Sequence, residues 1–324
     1  MICQGCLKSV AKSFCASCKK KLFNGQNVSN QLTFNSPYAD NSEMYNEHTG
    51  KISISGVQVK YSLILQGNEL QLTDRGGEYI LKPIPTGTFN YLNQAPANEH
   101  VTMQIARQVY GLDIPDNGLV YFTDNSPAYI VRRFDRKVDG TKYIQEDFAQ
   151  IAGVTSEANG KNYKYDLSYE EIAQLIKRYI PAYQIEMEKF FRMIVFNYLF
   201  ANGDAHLKNF SAIRSDMGDY QLTPAYDLLC TKLHSPTESD LALALFKEGF
   251  PEKFQKQGFH TYPDFAEFGV KIGIKASRVK KLLNPFISEQ KAVPEMVERS
   301  FLSDEAKSLY VEYYQDRLRR LCLQ

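Results

Sequence analysis

The stretch Asn197–Arg214, NYLFANGDAHLKNFSAIR, joins a strongly apolar segment to a short hairpin through a turn built of chemically able polar residues. Met187, Phe190, Phe191, Ile194, Val195, Tyr198 and Leu199 recur in steps of three and one, which predicts a helix buried along one face. Asn202-Gly203 predicts where that helix stops, because both residues tolerate the left-handed conformation. Asp204 and Asn209 follow as Asp-x-x-x-x-Asn. Asn209–Arg214 and Tyr220–Thr223 then read as strands around a turn containing Gly218, and Pro224-Ala225-Tyr226-Asp227 returns Asp227 beside Asn209. Two carboxylates and a carboxamide brought together suit a hard, oxygen-seeking cation such as magnesium held between phosphates. The plain alternative, an ordinary polar turn, accounts for DAHLKN but not for an aspartate at the end of the returning strand.

Charge narrows the function classes. With 38 basic and 37 acidic residues the 324-residue chain carries a net charge of +1, which is no global footprint for nucleic acid. No apolar run approaches the length of a membrane span and no leader pattern opens the chain, so a cytoplasmic protein without membrane contact is expected. Cysteine usage agrees. Cys3, Cys6, Cys15 and Cys18 form two Cys-x-x-Cys pairs, which in a reducing compartment predict a structural zinc site sooner than disulfides. Lys8, Lys12, Lys19, Lys20 and Lys21 lie in the same acid-free segment and would offset the surplus charge of four thiolates, with a nucleic-acid contact as the rival use. Cys230 and Cys322 stand alone and read as buried or incidental.

Three segments are expected: a Cys-rich knuckle over 1–25, a sheet-rich lobe over 26–135 that opens with a polar loop over 26–50, and a helical lobe over 136–324. Lys51–Leu65 alternates and then becomes a strand. Its break at Ser53-Ile54-Ser55-Gly56 permits a tight turn whose N–H groups can approach phosphates. Leu70–Leu72 and Glu78–Leu81 read as strands, with Lys82 at the end of the second. Ala97–Gly111 reads as a helix capped by Asn98, with Glu99 either reaching Lys82 or complementing the helix dipole. Strands Gly118–Thr123 and Ala128–Phe134 lead to Asp135, well placed to accept from ribose hydroxyls. Helices are expected thereafter over Glu146–Ala152, Tyr169–Tyr179, Glu238–Phe246, Thr261–Gly269, Ser277–Asn284 and from Ser303 to Cys322. Sheet first and helices after is the order of an α+β fold with segregated lobes.

The spacing of Asp204 and Asn209 is that of the protein-kinase catalytic loop, in which the aspartate accepts the substrate hydroxyl proton and the asparagine holds a metal ion. Lys82, at a strand end opposite a small-residue loop, sits where a kinase places its phosphate-pairing lysine. Together, SISGVQVK, YILKPIPTG, the Asn98-Glu99 pair, RRFDR, QEDFAQ, NGDAHLKNFS and LTPAYDLL resemble the HipA family of bacterial toxin serine/threonine kinases, from about Ile52 to the C-terminus. The resemblance implies a two-lobed protein-kinase-like fold that binds ATP and magnesium and phosphorylates a cytoplasmic protein, a translation component such as an aminoacyl-tRNA synthetase being one candidate. It makes Asp204 the catalytic base, Asn209 and Asp227 the metal ligands and Lys82 the ATP-phosphate lysine. Gly56 and Lys60 fall in the phosphate loop, the backbone of Arg132 and Phe134 on the adenine hinge and Asp135 on the ribose contact. Ser53 falls on the autophosphorylation position with Ser55 a second candidate, and His206 resembles a catalytic-loop residue that orders the loop. About fifty residues precede the serine loop, similar to the short HipT-type members of split systems. The implied partners are a cognate antitoxin, through which DNA is met only indirectly, and a separate small protein supplying a further β-rich domain.

Two rivals follow from the same residues. Small-molecule kinases of the aminoglycoside or choline type also use Gly-Asp-x-His-x-x-x-Asn with a later aspartate. A non-catalytic, zinc-bearing interaction module on a degenerate kinase scaffold is the other, and the presence of Lys82, Asp204, Asn209 and Asp227 argues against it.

Overall fold

The computed structural model describes residues 1–37, 53–54, 58–137 and 139–323. Of the serine loop, Ser55 and Gly56 lie outside the described residues, as do residues 38–50 of the expected polar loop. Ser53 is placed by its backbone alone, on β1 (Ser53–Ile54), which pairs antiparallel with β2 (Gln58–Val59).

A five-stranded antiparallel sheet of order β4-β3-β5-β7-β6 forms the first lobe. Its strands are β3 (Tyr61–Gln66), β4 (Glu69–Leu72), β5 (Tyr79–Pro83), β6 (Asn117–Tyr121) and β7 (Pro127–Arg132). Both faces of this sheet are covered, which is why β6 and β7 read as apolar runs rather than alternations. One face packs against α2 (Ala95–Gln108). The other buries Leu63, Leu81, Val120 and Ile130 against Phe14, Leu22, Phe23, Val28, Leu32 and Phe34. Residues 1–25, with α1 (Ala16–Phe23), therefore share a core with the sheet lobe. The segment after them is irregular as expected, yet it lies along the sheet, with Gln31 bridging Tyr121.

The second lobe surrounds α6 (Tyr183–Leu199), whose predicted apolar stripe is buried throughout. Around it lie α3 (Phe148–Ala152), α4 (Ser156–Asn159), α5 (Tyr169–Tyr179), α7 (Glu252–Gln257), α8 (Tyr262–Lys271), α9 (Ala276–Leu283), α10 (Ala292–Glu298) and α11 (Asp304–Leu321). The predicted hairpin forms as β9 (Ser211–Arg214) and β10 (Tyr220–Leu222). It gains a third strand, β8 (Gln145–Asp147), where a helix start was expected; Asp147 caps α3 instead. Among the described residues no helix is long and apolar enough to cross a membrane.

Three local expectations are corrected. Asn98 does not cap α2, which starts at Ala95 after Gln94. It lies buried inside the helix, its amide donating to Cys230 O at 2.9 Å while Cys230 N donates to Asn98 Oδ1 at 3.0 Å. The left-handed residue ending α6 is Ala201 (φ 48°), not Asn202 or Gly203, and Asn202 N donates back to Asn197 O at 2.9 Å in a Schellman closure. Asn202 is thereby turned inward, where its side chain reaches Asn197 Oδ1 and Asp227 O. Glu238–Phe246 is not a helix. The carbonyls of Ala244 and Leu245 accept from the N–H groups of Tyr169 and Glu170, the unpaired first turn of α5, so they are committed outside their own segment.

Candidate active site

The cleft between the lobes gathers Lys60, Lys82, Glu99, Asn209 and Asp227. Lys82 lies on β5 opposite Tyr129 of β7 and is buried. Its Nζ is 2.5 Å from Glu99 Oε1 on α2 and also contacts Asp227 Oδ1. Of the two uses expected for Glu99, contact with Lys82 is the one realised. Lys60, at the junction of β2 and β3, places its Nζ 3.4 Å from Asp227 Oδ2, and Asn209 Nδ2 donates to the same oxygen at 3.3 Å. The residues separated by up to 167 positions thus converge on one carboxylate.

The charges are mutually dependent. Burial pushes the Asp227 carboxyl up, but Lys60 and Lys82 overcome it and hold the group well below the usual carboxylate range. Burial pulls Lys82 down, yet Asp227 and Glu99 keep it above an ordinary lysine. For Lys60 burial outweighs the pull of Asp227 and Glu99, and Lys82 adds to the lowering, which brings it to about 8. Asp227 itself adopts φ 55°, a left-handed conformation that aspartate tolerates better than most residues.

Asp204 sits beyond this cluster with its side chain 42% exposed, able to meet a second molecule. Tyr165 Oη donates to Asp204 Oδ1 at 2.6 Å, and Lys164 Nζ lies 4.0 Å from the same oxygen. His206 is buried, its ring edge-on to Tyr165 and its Nδ1 without a hydrogen-bond partner among the described residues. Burial lowers its pKa to about 4, against the pull of Asp204. Its backbone N–H donates to Asn209 Oδ1 at 3.1 Å and its carbonyl accepts from Asn209 N at 2.9 Å, so residues 206–209 close into a rigid turn.

Two cavities meet at Lys82, Glu99, His206, Asn209 and Asp227. The first, about 620 Å³, is walled by Ile80, Tyr129, Val131, Phe134 and Tyr226 and rimmed by Lys60, Asp135 and Lys208. Its apolar walls and polar rim fit an aromatic base carrying a sugar and phosphates. Asp135 lines it, held ionised against burial by two bonds from Arg133, at 2.8 and 2.5 Å. Of the two expected hinge residues, Arg132 already donates its N–H to Asp116 O at 2.7 Å, while Phe134 lines the cavity and tilts its ring towards Tyr226. The second cavity, about 500 Å³, contains Asp204, Lys164, Tyr165, Thr231 and Glu238. Gly203 is required here, since a Cβ would stand 2.4 Å from Ser239 O.

For a hard cation, Asp227 supplies an anionic oxygen and Asn209 a carboxamide beside it. An anionic oxygen and a carboxamide side by side are donor types that fit magnesium. Lys164, Tyr165 and the Lys208–Asp147 ion pair at 2.8 Å are site features that no sequence motif singles out. Tyr165 lies in the run KNYKYDLSYE, which has no clear periodicity and offers no signal that could have singled it out.

At the N-terminus the four Sγ atoms of Cys3, Cys6, Cys15 and Cys18 all lie within 4.8 Å of one another. Cys6 and Cys15 are 3.8 Å apart, which matches the sulfur–sulfur separation of about 3.8 Å that tetrahedral Zn–S bonds of about 2.3 Å impose.

Residues 52–293 match the family described as HipA-like C-terminal domain. A Haemophilus influenzae protein whose kinase assignment is itself provisional is 31% identical over 295 residues, covering 84% of this chain and 82% of that protein. The serine/threonine-protein kinase toxin HipA of Shewanella oneidensis is 23% identical over 293 residues, 84% of this chain but 63% of the toxin. Among solved structures, the fold is similar to a chain of the Shewanella oneidensis HipA, HipB and operator DNA complex, with TM-score 0.61, 22% identity and coverage of 83% of this chain and 64% of that one. It is also similar to the Helicobacter pylori proinflammatory kinase CtkA, with TM-score 0.53, 16% identity and coverage of 82% and 91%. The sheet lobe, the helical lobe and the cleft between them are those of a kinase-like fold, and the chain belongs to the HipA-like C-terminal domain family.

Proposed function

We propose that this chain is an ATP- and magnesium-dependent serine/threonine protein kinase and the toxin of a bacterial toxin–antitoxin system. The observation that carries the reading is the meeting of two cavities at Lys82, Asn209 and Asp227, with an exposed Asp204 on the second. Nucleotide enters from the sheet side and acceptor from the helical side. Lys82 binds the ATP phosphates, and Asn209 and Asp227 would hold a magnesium ion, which would supply positive charge against the phosphates. Asp204 takes up the proton of the acceptor hydroxyl as that oxygen bonds to the γ-phosphorus and ADP leaves. His206 stays neutral and fixes the turn between Asp204 and Asn209.

Ser53, Ser55 or both are autophosphorylated in this reading. Added phosphate, with about −1.5 to −2 charge, would be repelled by the ATP phosphates and by Asp204 and Asp227, switching the enzyme off. A zinc ion at Cys3, Cys6, Cys15 and Cys18 completes the cofactor set. The partners are a cytoplasmic protein substrate, an antitoxin and a separate small protein supplying a β-rich domain.

The test compares active protein with Asp204→Asn by phosphoproteomics after brief expression, alongside a panel of small hydroxylated acceptors. The variant should lose about 10²–10⁴-fold in phosphotransfer, and phosphate should appear on peptide 52–60 of the active protein alone. Near-normal turnover by Asp204→Asn removes the assignment of the base. Transfer confined to small acceptors replaces the protein-kinase reading with a small-molecule one.

A further inference from the structure

The Cys-rich segment does not hang from the kinase; it is bolted to both elements that carry the lysine–glutamate pair. On the α2 side, His100 Nε2 donates to Gly5 O at 3.0 Å and Gln108 Nε2 donates to Cys6 O at 2.9 Å. His100 and Gln108 are eight apart, two turns along one helix face. His100 is fully buried and follows Glu99 directly. On the sheet side, Tyr79 Oη donates to Leu22 O at 2.9 Å, and Tyr79 lies on β5 three residues before Lys82. Arg132 of β7 donates to Lys21 O at 2.8 Å, and Leu119 N of β6 to Gln4 O at 2.9 Å.

These contacts run through main-chain atoms of residues between or just after the cysteines, so their positions depend on how the cysteines are held. The geometry there is tight. A Cβ on Gly5 would lie 2.7 Å from Cys18 Sγ, and Leu7, directly after Cys6, adopts φ 62°. A left-handed conformation is unfavourable for a non-glycine residue, and a cross-link through the neighbouring sulfur offsets such a cost. Leu7 is also buried in the core that includes α2.

We propose that zinc bound by Cys3, Cys6, Cys15 and Cys18 clamps α2 and β5 in the relative position at which Glu99 meets Lys82, so that zinc loading sets the affinity of the cleft for ATP. Loss of the metal frees the Gly5 and Cys6 carbonyls to shift, α2 loses two of its anchors, and Glu99 withdraws from Lys82. Lys82 then pairs with Asp227 alone and is no longer held for the phosphates. The inference rests on the zinc and kinase readings above.

The full chain is tested with MgATP as the probe, measuring zinc content and ATP affinity by calorimetry and secondary structure by circular dichroism. Wild-type protein should carry about one zinc per chain and, after chelation under reducing conditions, bind MgATP about tenfold more weakly, with recovery on adding zinc. Glu99→Gln should bind weakly from the start and lose no more than about twofold on chelation, because sites acting through one contact are not additive. His100→Leu keeps every thiolate, so it should hold zinc and yet bind ATP more weakly. Equal ATP affinity with and without zinc overturns the clamp, as does a second tenfold loss in Glu99→Gln. If chelation unfolds the chain, His100→Leu decides: zinc-loaded protein with wild-type ATP affinity overturns it. Protein that binds ATP but holds no zinc fails the zinc reading, and zinc-loaded protein that binds no ATP fails the kinase reading; either outcome also ends the proposal.

Discussion

Tyr165 Oη donates a 2.6 Å hydrogen bond to Asp204 Oδ1, so that in the proposed reaction Oδ2 is the oxygen left to receive the acceptor's proton. The bond fixes the rotation of a carboxylate that is otherwise 42% exposed. Tyr165→Phe should therefore lower kcat about tenfold, the value of one hydrogen bond to a charged group, with KM for ATP unchanged. Steady-state kinetics check this. A raised KM for ATP with unchanged kcat would place Tyr165 in nucleotide binding instead.

Asp227 is the shared partner of Lys60 and Lys82. Asp227→Asn removes the carboxylate that contacts buried Lys60 and should destabilise the metal-free protein by about 3 kcal/mol, the usual consequence of removing one member of a buried pair. It should also raise the magnesium concentration needed for half-maximal activity, since a neutral amide is a weaker ligand than a carboxylate. Urea denaturation and magnesium titration measure the two effects separately.

His260 is 1% exposed, packed among Tyr198, Phe250, Phe254 and Phe265, with Nδ1 4.0 Å from Asp264 Oδ2. Burial lowers its pKa to about 4; Asp264 and Asp240 pull the other way and Arg317 adds to the lowering. The unfolded chain therefore binds this proton more readily than the folded one. Stability from keeping the ring neutral is fully present above about pH 6.5 and is lost as the pH falls towards about 4. At most about 3 kcal/mol is involved, following about 1.4 kcal/mol per pKa unit. Thermal unfolding of wild type should shift down over that window, and His260→Gln should flatten the slope.

Much of the site was legible because its parts lie close together along the chain. Asp204, Asn209 and the hairpin leading to Asp227 fall within one short stretch, and the turn residues between them have strong local preferences. Helix α5 ends before Pro181 and α11 begins after Ser303 as their capping residues direct. The Asn98-Glu99 pair shows the limit. The local pattern marks Asn98 as a helix cap, and nothing local announces that it will bond Cys230, 132 positions away.

Periodicity, spacing and backbone preference over a few residues set the helix stripe of α6, the turn over 204–209, the strands of the sheet lobe and the four-cysteine cluster. Tertiary structure alone decided that Lys60, Lys82 and Asn209 share Asp227, that Tyr165 steadies Asp204, that Glu238–Phe246 forms no helix, and that the cysteines grip α2. Each of those outcomes depends on buried polar groups finding partners far along the chain. An unpaired buried donor or charge costs more than local propensity can repay, so the folded environment, not the neighbouring residues, chooses the partner.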